Sequence, residues 1–276
     1  MNMTTLNQKL TVIQQMSTED ATFEVVEFKS LEGASTPQMA EKLFYIQQAG
    51  LTMKQIKITL NNSKIKTEAG ALYFYKGRIE AETKFGGAGG TLKKMIGGAI
   101  TDESAAKPTY AGTGEVWLEP SFKHYFLLKL EGEAIIVDKG LFYACSDSIQ
   151  VSASMQQNMS SALLGGEGLF QLKLSGHGVV VLECDVPNSE IMTFDIQPGE
   201  TLKVDGNFAI IRTEGVQFSV TKSDKSFIKS AMNGEGFLNT FTGVGRVFLA
   251  PTSPVYQRLE LGMPMITNQN MNNIQR

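Results

Sequence analysis

The stretches "GTGEVWL" (residues 112–118), "GHGVVVL" (176–182) and "GVGRVFL" (243–249) are three copies of Gly-x-Gly-x-Val-x-Leu, 64 and then 67 residues apart. A second related segment precedes each copy: "GALYFYKGRIEAE" from Gly70, "GLFYACSDSIQVS" from Gly140 and "GNFAIIRTEGVQFSV" from Gly206. Each starts at a glycine, alternates apolar and polar residues, and reaches Ile79, Ile149 or Val216 after a polar break. From those positions to the first glycine of the motif the spacings are 33, 27 and 27 residues. The first copy therefore carries an insertion, which falls on "FGGAGGTLKKMIGGAI" (85–100). Two segments matched in order and spacing define an internal repeat.

The local pattern is β throughout. Val, Ile, Phe and Tyr alternate with polar residues over short runs bounded by Gly, Asn, Asp and Ser. The Gly-x-Gly reads as the tight opening of a strand, its glycines taking backbone conformations that other residues resist. Within that strand the period of two places Val116, Leu118, Val180, Leu182, Val247 and Leu249 on one face, the expected core. Trp117, Val181 and Phe248 point the other way. Large apolar residues repeated there require a cover, either a second layer of the same chain or another subunit.

These features predict an all-β fold, with three internal repeats forming a pseudo-threefold body at residues 51–120, 121–184 and 185–250. Before it, residues 1–50 form an N-terminal extension. "TFEVVEF" (22–28) reads as a strand, and "STPQMAEKLFYIQQAGL" as a helix with Thr36 as N-cap, Pro37 at the first helical position and Gly50 past the end. Ala40, Leu43, Phe44 and Gln47 share one face of that helix, which is expected to dock on the β body. The Asn/Gln-rich stretch 263–276 reads as a frayed tail.

Composition narrows the chemistry. The 276 residues are 42% hydrophobic and 19% charged, enough for a packed core. With 25 basic against 28 acidic residues the formal charge is −3, a poor footprint for nucleic acid. The start has neither a basic nor an apolar signal region, and no apolar run approaches the ~18 residues of a membrane span. A cytoplasmic location is expected, with Cys145 and Cys184 as buried thiols in a reducing compartment.

No catalytic, cofactor or metal site is expected. The two histidines, His124 and His177, are too few for a cupin-like metal centre, and His177 stands where the other copies have Thr113 and Val244. A Cys/His pair stays open as a minor reading. Glu167 and Glu235 recur in Gly-Glu-Gly turns and read as acceptors for backbone N–H groups. The glycine-rich insertion misses the phosphate-loop spacing. Its Leu92, Lys93, Lys94, Met95 and Ile96 form either a plain loop or a small contact site for a membrane surface or partner groove.

The ordered set "GGAGGTLKKMIGGA", "GTGEVWLEP", "GGEGLFQLKLSGHGVVVL", "IQPGETLKVDGN" and "GEGFLNTFTGVGRVFLAP" resembles the bacterial branch of the family named for altered inheritance of mitochondria, its twenty-fourth protein. The likeness spans about residues 50 to 262. It departs at the middle of the Gly-x-Gly, often Pro in such proteins and here Thr113, His177 or Val244, and it leaves the first 50 residues unmatched. The resemblance implies a double-stranded β-helix body related to the tryptophan RNA-binding attenuation protein superfamily, a homo-oligomer, and no catalytic residues. The function expected is that of a non-catalytic, self-associating scaffold, with Trp117, Val181 and Phe248 as candidate interface. The alternative is a small-ligand or membrane-surface module using 85–100, which would place the chain at the membrane periphery.

Overall fold

The computed structural model describes residues 10–82, 107–138, 140–154, 171–222 and 237–262. They are mostly β-strand, as an all-β fold requires, and they gather into two compact units. The first holds the described residues up to Ser154 together with Gln171–Cys184, and the second those from Asp185 onward.

The first unit begins with an antiparallel meander of β1 (Leu10–Ser17), β2 (Ala21–Phe28) and β3 (Met53–Thr67). Strand β3 then pairs with β5 (Thr109–Leu118), and β4 (Leu72–Glu82) pairs with the far side of β5. Further on, β9 (Gln171–Cys184) pairs with β6 (His124–Asp138) on one side and with β7 (Phe142–Ser146) and β8 (Ile149–Ser154) on the other. Strand β7 also bonds to β3 through Ile65, Lys66 and Thr67. The core of this unit is built on Phe23, Val25, Ile56, Ile58, Val116 and Leu118.

The second unit contains β10 (Met192–Ile196), β11 (Thr201–Val204), β12 (Ala209–Thr213), β13 (Val216–Lys222), β14 (Phe237–Gly243) and β15 (Gly245–Leu249). Strand β15 lies between β10 and β12, and β14 between β11 and β13. Ile196, Val204, Val216, Phe241, Val247 and Leu249 form its core. A short helix, α2 (Ser253–Glu260), follows; Thr252 and Tyr256 both donate hydroxyl hydrogen bonds to Glu190.

All six residues assigned to the core face are buried: Val116, Leu118, Val180, Leu182, Val247 and Leu249. In β9 the intervening Val179 and Val181 are buried as well, so the apolar run Val179–Leu182 of this central strand is covered on both faces.

The Gly-x-Gly does not open a strand. It lies inside β5 and β9, and at the junction of β14 with β15. On one side Ile79 faces Gly112, Ile149 faces Gly176 and Val216 faces Gly243. On the other, Leu60 faces Gly114, Leu130 faces Gly178 and Ile196 faces Gly245. Glycine is required because a neighbouring backbone presses against it. A Cβ on Gly112 (φ +139°) would overlap the carbonyl oxygen of Arg78, and one on Gly176 (φ +126°) would sit 2.5 Å from that of Ser148. Opposite these points the register slips between Leu60 and Ser63 and between Glu131 and Ala134, which are β-bulges.

Two N-terminal expectations need correction. Strand β1 was not anticipated, since "LTVIQQMS" lacks a clean alternation and most of its residues are exposed. The helix α1 (Pro37–Gln48) forms as expected, with the Met39 N–H donating to the Thr36 hydroxyl and Pro37 in its first turn, but no residue of it is buried. Its apolar face, diluted by Ala40 and Gln47, supplies too little area to dock, and Phe44 and Tyr45 remain exposed, edge to face with each other.

Gly112→Ala adds a methyl where the Arg78 carbonyl stands and forces a positive φ on an L-residue. The melting temperature should fall by about 5 °C or more, a cost of ~2 kcal/mol. Unchanged melting by circular dichroism would show that the close approach does not constrain this hairpin.

Candidate functional site

Strand β4 sits off the main path of its sheet, and β5 is its single partner among the described residues. Its side chains are exposed nearly throughout, Ile79 and the partly buried Leu72 excepted. Tyr73, Phe74 and Tyr75 are 56%, 46% and 44% exposed, three aromatic residues in a row. Phe74 faces Trp117 across the hairpin, and their rings stack at 5.5 Å and 15°. The Lys57 ammonium lies 5.7 Å from the Trp117 ring centre and pairs with Glu24 at 3.1 Å and Glu115 at 3.3 Å. Partial burial draws the Lys57 pKa down, but hydrogen bonds to the two carboxylates outweigh it and hold the group above its ordinary value. The result is an aromatic ledge with a charged clamp at its inner rim.

The three positions expected to form an interface divide. Trp117 and Phe248 are half-buried, whereas Val181 is fully buried in the core of the first unit and is unavailable to another subunit. Their cross-strand partners explain the division. Trp117 faces the exposed Phe74, Val181 faces the buried Ala144, and Phe248 faces Ile211. The other candidates, Leu92, Lys93, Lys94, Met95 and Ile96 of the insertion, lie outside the described residues, as do Glu167, Glu235 and the tail 263–276.

A second feature went unread in the sequence. An open polar cleft of about 1050 Å³ in the first unit is lined by the β1–β2 turn, the bulges of β3 and β6, the β7–β8 turn and His177. The Asp20 carboxylate accepts hydrogen bonds from Thr18 and Ser63, both at 2.8 Å, which hold its pKa below the usual value. The hydroxyls have structural employment. Ser148 donates to the main-chain carbonyl of His177, and Ser146 accepts the Val179 N–H at 3.0 Å. Neither is aimed at an imidazole as a nucleophile would be. His177 instead lies over the bulge, where a Cβ on Gly132 would meet its Nε2 at 3.0 Å.

Both cysteines are buried, and neither is in a disulfide. Burial pushes the Cys145 thiol up to about 12. His124 and Cys184 are direct cross-strand neighbours in β6 and β9, so the chain does bring one Cys/His couple together, away from the residues that line the cleft. Among the described residues no group of three or more His, Cys, Asp or Glu side chains is placed to hold a metal ion. No helix among them is long and apolar enough to cross a membrane.

Two measurements follow from these environments. Because its folded pKa is depressed, Asp20 contributes stability above its unfolded pKa and loses it as pH falls through the lower folded value. Ser63→Ala should therefore raise the Asp20 titration midpoint, read by carboxyl-carbon NMR; an unmoved midpoint would discount the hydrogen bond. Cys145 should resist a disulfide reagent at pH 8 in the native protein and react promptly in denaturant. Fast native labelling at that residue would contradict its burial.

Comparison with known proteins fits this architecture. An uncharacterised protein of Streptococcus pyogenes serotype M6 is 24% identical over 197 residues, covering 68% of this chain and 77% of that one. A crystal structure of a Streptococcus pyogenes protein matches the fold with a TM-score of 0.53 at 18% identity, covering 82% of this chain and 94% of its own. A family model described as mitochondrial biogenesis AIM24 matches residues 45–252, from within α1 to the segment after β15. The chain belongs to the AIM24 family.

Proposed function

We propose that this protein is a non-catalytic, self-associating β scaffold. The observation that carries the reading is the aromatic ledge: Tyr73, Phe74 and Tyr75 exposed in succession on a strand with one edge open among the described residues, with Trp117 stacked on Phe74. Aromatic side chains are concentrated at protein interfaces and rarely left together in water. Each offers a large apolar area, of the order of 1.5–3 kcal/mol when fully covered.

The body is read as three repeats, each with the Gly-x-Gly segment flanked on both sides by antiparallel partners, which are whole strands in the first repeat and partly split into shorter ones in the others. The support is the common register around the glycines, with Ile79, Ile149 and Val216 on one side and Leu60, Leu130 and Ile196 on the other. The double-stranded β-helix description and the tie to the tryptophan RNA-binding attenuation protein superfamily belong to the same reading. The partner class is protein, in the first place a second copy of this chain. A formal charge of −3 speaks against nucleic acid. A cytoplasmic site of action is part of the proposal.

Light scattering on the full chain tests it. The wild type should run as a defined oligomer. Trp117→Ala should lower the mass toward monomer while leaving the circular dichroism spectrum native. A fall in melting temperature at constant mass would assign Trp117 to packing within the chain and overturn the interface. Capture by anionic vesicles in place of self-association would replace the scaffold with a membrane-surface module.

A further inference from the structure

Resting on the self-association reading, we infer that the partner is a second copy of this chain, joined edge to edge through β4 in an antiparallel, twofold pairing centred on Ile79. The argument starts from the order of charges along the strand. Lys76, Arg78, Glu80 and Glu82 alternate with Gly77, Ile79 and Ala81, so the four charges share the face that also carries Phe74. The order is two positive charges followed by two negative ones. Such a strand is self-complementary when a copy of it runs antiparallel. With Ile79 opposite its own symmetry mate, Arg78 meets Glu80 of the other copy and Lys76 meets Glu82, and the twofold axis repeats both pairs. A parallel arrangement would instead set like charges side by side, which destabilises a sheet.

The charges are free to act in this way. Lys76, Arg78 and Glu80 make no ion pair among the described residues, and Glu82 alone is engaged, by Lys64 at 3.0 Å. Lys64 comes from β3, two strands inward, so the engagement does not block the outer edge. The inner face raises no steric obstacle either. Ile79 is buried against its own core, and the small residues Gly77 and Ala81 oppose each other across the pairing.

Two alternatives fit β4 less well. Charged residues often blunt an edge strand against aggregation. That purpose is met by any charges, and best by like ones, so it does not account for the sorted order. A register that put the aromatic residues opposite each other would need a regular edge at Tyr73. The ladder of β4 with β5 slips between Leu72 and Phe74, a bulge that spoils that edge, whereas from Phe74 to Glu82 the register is unbroken. In the charge-matched register Tyr73, Phe74 and Tyr75 lie just beyond the paired stretch of residues 76–82 at both ends. Main-chain hydrogen bonding between open edges supplies affinity, and the charge ladder fixes the register.

The test is a charge-swap cycle on the full-length chain: R78E, E80R and R78E/E80R, followed by sedimentation equilibrium, with circular dichroism to confirm folding. Each single change opposes like charges twice across the axis and should weaken the dimer about tenfold or more. The double change restores opposite charges in reversed order and should return the dissociation constant to within about threefold of wild type. Raised salt should weaken the wild-type dimer in parallel. An oligomer indifferent to both single changes, or a double variant as weak as the singles combined, overturns the β4 register while leaving self-association standing. A wild-type chain that stays monomeric at the highest concentration overturns the scaffold reading and this register with it.

Discussion

The structure depends on one steric constraint: at the Gly-x-Gly positions the partner segment before the motif comes so close, by backbone or by a short side chain, that no Cβ fits. Gly112 and Gly114 abut the carbonyls of Arg78 and Lys76, and Gly176 abuts that of Ser148. Because these contacts all come from the segment before the motif, the constraint pins that pairing, at Ile79, Ile149 and Val216. On the other side the partner strands bulge at Asn62 and Gly132, with φ of +51° and +111°. Register elsewhere in each set then follows, since a slip of one residue would turn Val116 or Leu118 out of the core.

This is why a spacing that the sequence showed only as a repeat turns out to record a strand pairing. The spacing from Ile79, Ile149 and Val216 to the first glycine of each motif marks a contact, as the pairs Ile79–Gly112, Ile149–Gly176 and Val216–Gly243 demonstrate. What the glycines do was misread. A glycine pair between a polar stretch and an apolar run looks like a turn, and only the opposing strand reveals that close approach is the cause. The same blindness to the opposing strand explains α1. Caps are local and were read correctly from Thr36 and Pro37, but docking depends on what lies beneath, and nothing there buries Leu43 or Phe44.

The polar cleft was illegible for a related reason. Its lining comes from five separate segments, around residues 17–20, 62–64, 129–131, 146–148 and 177–178, and no two share a motif. The bulges opposite the glycines are the one signal that might have gathered them, and a bulge is visible only once pairing is known. Its hydroxyls and carboxylates largely satisfy one another, Asp20 by Thr18 and Ser63, and Ser148 by the His177 carbonyl. An arrangement of this kind stiffens a cleft more readily than it activates a nucleophile.

The most informative contrast lies between two strands that hold the same place in register. Phe74 and Tyr75 face Trp117 and Val116 in β4, just as Ala144 and Cys145 face Val181 and Val180 in β7. Strand β7 is bonded along its outer edge by β3, and there the chain places small residues, both fully buried. Strand β4 has no such neighbour among the described residues, and there the chain places large aromatic ones, nearly half exposed. Steric demand explains the small residues, because a Phe at position 144 would have to displace a packed strand. It does not explain the large ones. Solvent alone favours polar side chains on an open edge, and in the same strand the chain supplies them from Lys76 onward. In the self-association proposed above, a partner surface would account for the aromatic residues of β4, and the sorted charges beside them would select a second copy of this chain.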